Sequence, residues 1–127
     1  LLMSPFAFEE PQEKCTKTLA EASGVTLVYY SYWRSPRVQC CEERGGPWTQ
    51  APGLRLAESR LAEFPAPGGD DSGGWFVLRF PSSHRLEFVL NDGAAKWDKA
   101  PRGGNYEVHR PGVWTLRDGK LQEHADQ

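Results

Sequence analysis

Hydrophobic and polar positions alternate in short runs separated by turn formers. The first is VTLVYYSYW, Val25 to Trp33, where β-branched and aromatic residues follow Gly24 and stop before Ser35-Pro36, the signature of a strand. Arg37 to Cys41 makes a second run, ending at Gly45-Gly46-Pro47. WFVLRF, Trp75 to Phe80, alternates strictly, so Phe76, Leu78 and Phe80 share one face, which should be core. LEFVL repeats the pattern with Leu86, Phe88 and Leu90 inward and closes on Asn91-Asp92-Gly93, a tight-turn signal. Further short strands are expected at Tyr106 to Val108, Val113 to Leu116 and Lys120 to Gln122, the last two divided by Asp118-Gly119.

Two stretches are less regular. The leucines of LRLAESRLAEF, Leu54 to Phe64, fit a short helix or an irregular strand, and strand is the preferred reading. Before Ser23, an apolar pair (Phe6, Phe8) precedes a helix-compatible polar stretch, Glu13 to Glu21. Six or seven short strands with frequent turns predict an all-β antiparallel sandwich. One domain is expected over residues 23–121, with an N-terminal extension at 1–22 and a C-terminal tail at 122–127.

Composition narrows the function classes. The 127 residues include 13 Gly and 10 Pro, which suits a turn-rich all-β domain. A net charge of −2 with scattered basic residues supplies no positive stripe for nucleic-acid phosphates or anionic lipid. No apolar stretch approaches membrane-spanning length. The chain starts at Leu1 with no charged n-region and apolar core, so no targeting signal is expected within it, and it reads as a piece of a longer protein. Cys15, Cys40 and Cys41 make an odd set without metal-ligand spacing, which favours a reducing compartment.

Candidate catalytic groups do not assemble into a set. Cys40-Cys41 fits a reactive vicinal pair or small packing residues on a strand, the latter preferred. His84, His109 and His124 lack a metal-binding pattern. Asp92, Asp98 and Glu107 could supply a glycosidase acid pair, but surface acids are common, and Asp92 beside Gly93 is a turn former. The glycine pairs 73-74 and 103-104 do not make a phosphate loop. No catalytic residue, cofactor or metal is expected.

The distinctive residue is tryptophan, at positions 33, 48, 75, 97 and 114. Trp48 in GGPWTQAPG and Trp97 in NDGAAKWDKAPRGGNY sit in polar, turn-rich settings, where core-edge packing and ligand contact both fit. Trp75 and Trp114, inside strand runs, read as packing residues, and Trp33 is open. A pyranose ring presents C–H groups that pack on an indole plane, while its hydroxyls need donors and acceptors of the Asp, Asn and Lys kind.

VYYSYW, GGPWTQAPG and LEFVLNDGAAKWDKAPRGGNYEV, in that order, resemble the starch-binding modules of carbohydrate-binding module families 25 and 53 over most of residues 25 to 120. The most specific piece is NDG-x-x-x-WD followed by NY. The resemblance implies an immunoglobulin-like β-sandwich that binds starch or malto-oligosaccharide without catalysis, as part of a larger parent chain. It implies stacking by Trp48 and Trp97, with Asp98, Lys99 and Asn105 as hydroxyl contacts. Asn91-Asp92-Gly93 and Tyr106 then read as turn and core elements that fix the Trp97 loop. The family pattern often carries a histidine in the strand before the GG-x-W turn, and counting back from Trp48 places Cys40 there. A thiol offers no comparable imidazole, so either binding is weaker than in typical members or Tyr32 or Trp33 supplies a third surface. The asparagines usual after WD are replaced by Lys99 and Ala100. The family 53 side of the resemblance points to a plastid and the family 25 side to secretion with a bacterial amylase. The competing reading is a structural or protein-interaction sandwich with little or no sugar affinity.

Overall fold

The computed structural model describes residues 24–69 and 72–124. The extension expected at 1–22, with Phe6, Phe8, Cys15 and the helix-compatible stretch, lies outside them.

Two five-stranded sheets face one another. In the first, β1 (Val25–Ser31) is central. Its alternating β-branched and aromatic residues pair antiparallel with β5 (Gly74–Phe80), in a register running from Val25 opposite Phe80 to Ser31 opposite Gly74. On its other side β1 runs parallel to β9 (Gly112–Arg117), and β10 (Lys120–Glu123) folds back on β9 through the Asp118-Gly119 turn. The parallel pair departs from the wholly antiparallel sandwich expected. The chain reaches β9 by crossing from the opposite sheet, so no hairpin dictates its direction. At the far edge β4 (Ala57–Glu58) pairs with β5.

The second sheet is built on β2 (Arg37–Cys41) and β6 (Leu86–Asn91), antiparallel with Cys40 opposite Phe88. The free side of β2 carries β3 (Leu54–Arg55). The free side of β6 is shared by β7 (Trp97–Asp98) and β8 (Tyr106–Val108).

The inward residues are those the alternation selects. Leu86, Phe88 and Leu90 meet Phe76 and Phe80 across the interface, together with Val25, Leu27, Val38 and Leu116; Leu78 packs against them half-buried. Each fully buried large side chain contributes about 2 kcal/mol by leaving water. The segment from Leu54 to Phe64 differs from the strand expected there. It makes only two two-residue strands, one on each sheet, with Leu56 buried at the crossing. It then turns so that Leu61 and Phe64 cover the outward face of the first sheet, over Val28, Val113, Trp75 and Val77. The leucine spacing of this segment therefore serves two cores, which is why neither a helical nor a strand period fits it.

Candidate functional site

The pleat of β7 decides where the second sequence motif points. Asp98 lies opposite Leu90 and Trp97 opposite Asn91. Because Leu90 is a core residue, Asp98 turns inward and Trp97 outward. Asp98 accepts hydrogen bonds from the Tyr29 hydroxyl on Oδ2 at 2.8 Å and from the Tyr106 hydroxyl on Oδ1 at 2.6 Å. The carboxylate thus ties β1 of the first sheet to β8 of the second, through charge-assisted bonds stronger than neutral ones. Burial, reinforced by the Asp98 charge, raises both phenols above the ordinary tyrosine range, so they stay protonated donors. Both Asp98 oxygens are engaged within the protein, on the strand that carries Trp97.

The turn before Trp97 is equally fastened. Asp92 Oδ1 accepts from the backbone N–H groups of Ala94, Ala95 and Lys96 at 2.8, 2.9 and 3.1 Å, and these donors, Ala94 first, hold its carboxyl below the usual range. Asn91 Oδ1 accepts from Gly93 N at 2.7 Å. The connection is a five-residue loop, 92–96, closed by side-chain oxygens, where NDG alone suggests a tighter turn.

Trp48 is held from the other edge. Thr49 N donates to Cys40 O at 2.9 Å, and Thr49 Oγ1 accepts from Cys40 N at 3.1 Å, which lays GGPWTQ along β2 beyond β3. Gly53 closes this stretch at φ +106, where a Cβ would lie 2.2 Å from the Val38 carbonyl oxygen. The Asn91 carboxamide donates from Nδ2 to Pro52 O at 2.9 Å and so joins the two motifs. Trp48 is 41% exposed and Trp97 47%. They stand at opposite margins of one sheet, with β2 and β6 between them.

The remaining expected residues separate. Trp33, Trp97, Asp98 and Lys99 line one groove of about 350 Å³ together with Tyr32; Trp48 lies outside it. Lys99 Nζ sits 5.8 Å from the Trp97 ring centroid. Asn105 is exposed at the start of β8 and donates from Nδ2 to Glu87 Oε2 at 2.8 Å. Cys40 does not reach the outer face. Its register with Phe88 turns it into the core, where it is 2% exposed, and burial, then the Glu42 charge, pushes its thiol up to about 12. Cys41 points the other way, but the Glu42–Gly46 turn covers it, with Sγ donating to Glu43 O at 2.7 Å. Neither thiol of β2 is therefore presented to solvent. Trp33, open from sequence, is half-buried against the core, 6.3 Å from Tyr29. Trp75 packs edge-on against Tyr30 and Phe64, and Trp114 packs against the core, as expected of strand tryptophans. Sequence reasoning missed the Tyr29–Asp98 tie, for which an acid directly after an outward edge tryptophan is the available signal.

No protein-family model matches the chain. An α-amylase of Niallia circulans is 26% identical over 111 residues, which is 87% of this chain; the chain spans 8% of that protein's length. A solved family 25 carbohydrate-binding module from a Bacillus halodurans amylase superposes with a TM-score of 0.65 at 24% identity, over 84% of this chain and 100% of that one. The same module solved in complex with maltotetraose gives 0.59 at 22% identity, over 83% and 100%. The first such module of a β/α-amylase from Paenibacillus polymyxa gives 0.55 at 22% identity, over 82% and 94%. The chain has the β-sandwich fold of the family 25 carbohydrate-binding modules.

Proposed function

We propose that this domain binds α-1,4-glucan chains, starch or malto-oligosaccharide, without catalysis, by stacking sugar rings on Trp48 and Trp97. The observation that carries this reading is the pair of solvent-facing indoles at the two margins of one sheet, Trp48 on a stretch hydrogen-bonded to β2 and Trp97 directly after a hydrogen-bonded loop. Lys99 beside Trp97 and Asn105 beside Glu87 offer hydroxyl partners around them. Covering roughly 60–80 Å² of each indole stabilises the complex by about 1.5–2 kcal/mol. After association costs, dissociation constants of micromolar to millimolar order are expected, with retention on granules helped by many neighbouring chain ends.

Support comes from the Bacillus halodurans module solved with maltotetraose and from the amylase context of the relatives. The same relatives support a parent chain of amylase type, and with it the secreted bacterial expectation; all come from bacterial amylases, and none supports the plastid expectation. The test is sedimentation with starch granules together with a maltoheptaose titration followed by tryptophan fluorescence. Binding supports the reading. A folded domain that neither sediments nor responds would leave the protein-interaction alternative.

A further inference from the structure

With Cys40 and Cys41 both buried, β2 offers no thiol on the sheet face, and further exposed aromatic surface lies elsewhere. Tyr32 is 66% exposed, more than either platform tryptophan. Its ring is nonetheless held: Tyr30 meets it edge-on at 5.4 Å, and Gly73, at φ +79, backs it so closely that a Cβ there would fall 2.7 Å from Tyr32 Cδ1. An exposed ring clamped on two sides presents its remaining surface at little cost in side-chain entropy.

Tyr32 borders the same groove as Trp97, with Trp33, Lys99 and Asp118 also lining it. Trp97 sits on the edge strand of its sheet, so its ring borders both the sheet face and this groove. The groove offers aromatic walls, an ammonium donor at Lys99 and a carboxylate acceptor at Asp118, whose Oδ2 is 3.8 Å from Arg117 Nε. Apolar planes beside hydrogen-bond donors and acceptors suit a neutral polyhydroxylated chain, and about 350 Å³ is within the range of small-ligand sites.

We infer that this groove is an extension subsite, in which Tyr32 takes further glucose residues of the same α-glucan after it has crossed Trp97. The inference depends on glucan binding at Trp97 and adds to it a preference for longer chains. Its test is a calorimetric titration of the 127-residue chain and its Tyr32→Ala variant with maltotriose and with maltoheptaose. In the unsubstituted 127-residue chain, the parent of the variant, maltoheptaose binds more tightly. Tyr32→Ala is expected to weaken maltoheptaose about tenfold and leave maltotriose unchanged. Equal maltoheptaose affinity in both proteins overturns the subsite while glucan binding stands; no binding of either sugar to the parent chain overturns both. Should the variant misfold, the backbone amide shifts of Tyr32 and Asp118 in the parent chain decide. Movement with maltoheptaose beyond that with maltotriose supports the subsite, and no movement rejects it.

Discussion

Asn91 and Pro52, 39 residues apart, are joined by a 2.9 Å hydrogen bond from the Asn91 carboxamide to the Pro52 carbonyl oxygen. Asn91 ends β6 just before the Trp97 loop, and Pro52 ends the stretch that carries Trp48. The bond therefore sets one tryptophan loop relative to the other. Asn91 is 3% exposed and its side chain also accepts from Gly93 N, so its truncation removes two hydrogen bonds and leaves a gap among buried atoms. Asn91→Ala is expected to cost about 1–3 kcal/mol in urea denaturation. Maltoheptaose affinity should fall further than the stability loss alone accounts for, because the platform loses its fixed spacing.

The Asp98 tie predicts a graded response. Tyr106→Phe or Tyr29→Phe removes one bond to a charged group, about 1.5–3 kcal/mol, whereas Asp98→Ala leaves two buried hydroxyls without acceptors and costs more than either. A double-mutant cycle by chemical denaturation checks it. If Asp98→Ala proves neutral for stability and abolishes sugar binding, Asp98 is a ligand contact after all.

Trp48→Ala and Trp97→Ala should each weaken maltoheptaose about tenfold or more with little change in thermal midpoint, since both rings already face water. Fluorescence titration and a melting curve, taken on each variant, read the two effects separately.

Stability should fall at alkaline pH. Below about 9 the Cys40 thiol is protonated in folded and unfolded chain alike. Above it the unfolded thiol ionises, while burial holds the folded one protonated up to about 12, so the folded state is progressively disfavoured. From pH 8 to 10.5 the loss from this group is about 2 kcal/mol, and Tyr29 and Tyr106, also raised, steepen it at the upper end. Urea midpoints across that range should decline less steeply in Cys40→Ala than in the parent chain.

Strand periodicity was enough to indicate the sandwich: Phe76 and Phe80, and Leu86, Phe88 and Leu90, face inward as their alternation demands, because a pleated strand turns successive residues to opposite faces. The turn-rich setting likewise marked Trp48 as a loop residue, whereas Trp97, expected in a loop, opens the short edge strand β7. What the sequence could not decide depends on which strands become neighbours. That Cys40 turns inward follows from its register with Phe88, that Asp98 is occupied by Tyr29 from the approach of two sheets, and that Leu54 to Phe64 serves two cores from its crossing between them. The groove joining Trp97 to Tyr32 likewise brings together residues 65 positions apart. Local pattern fixes the face a side chain takes within its strand; only the packing of the sheets fixes what meets it there.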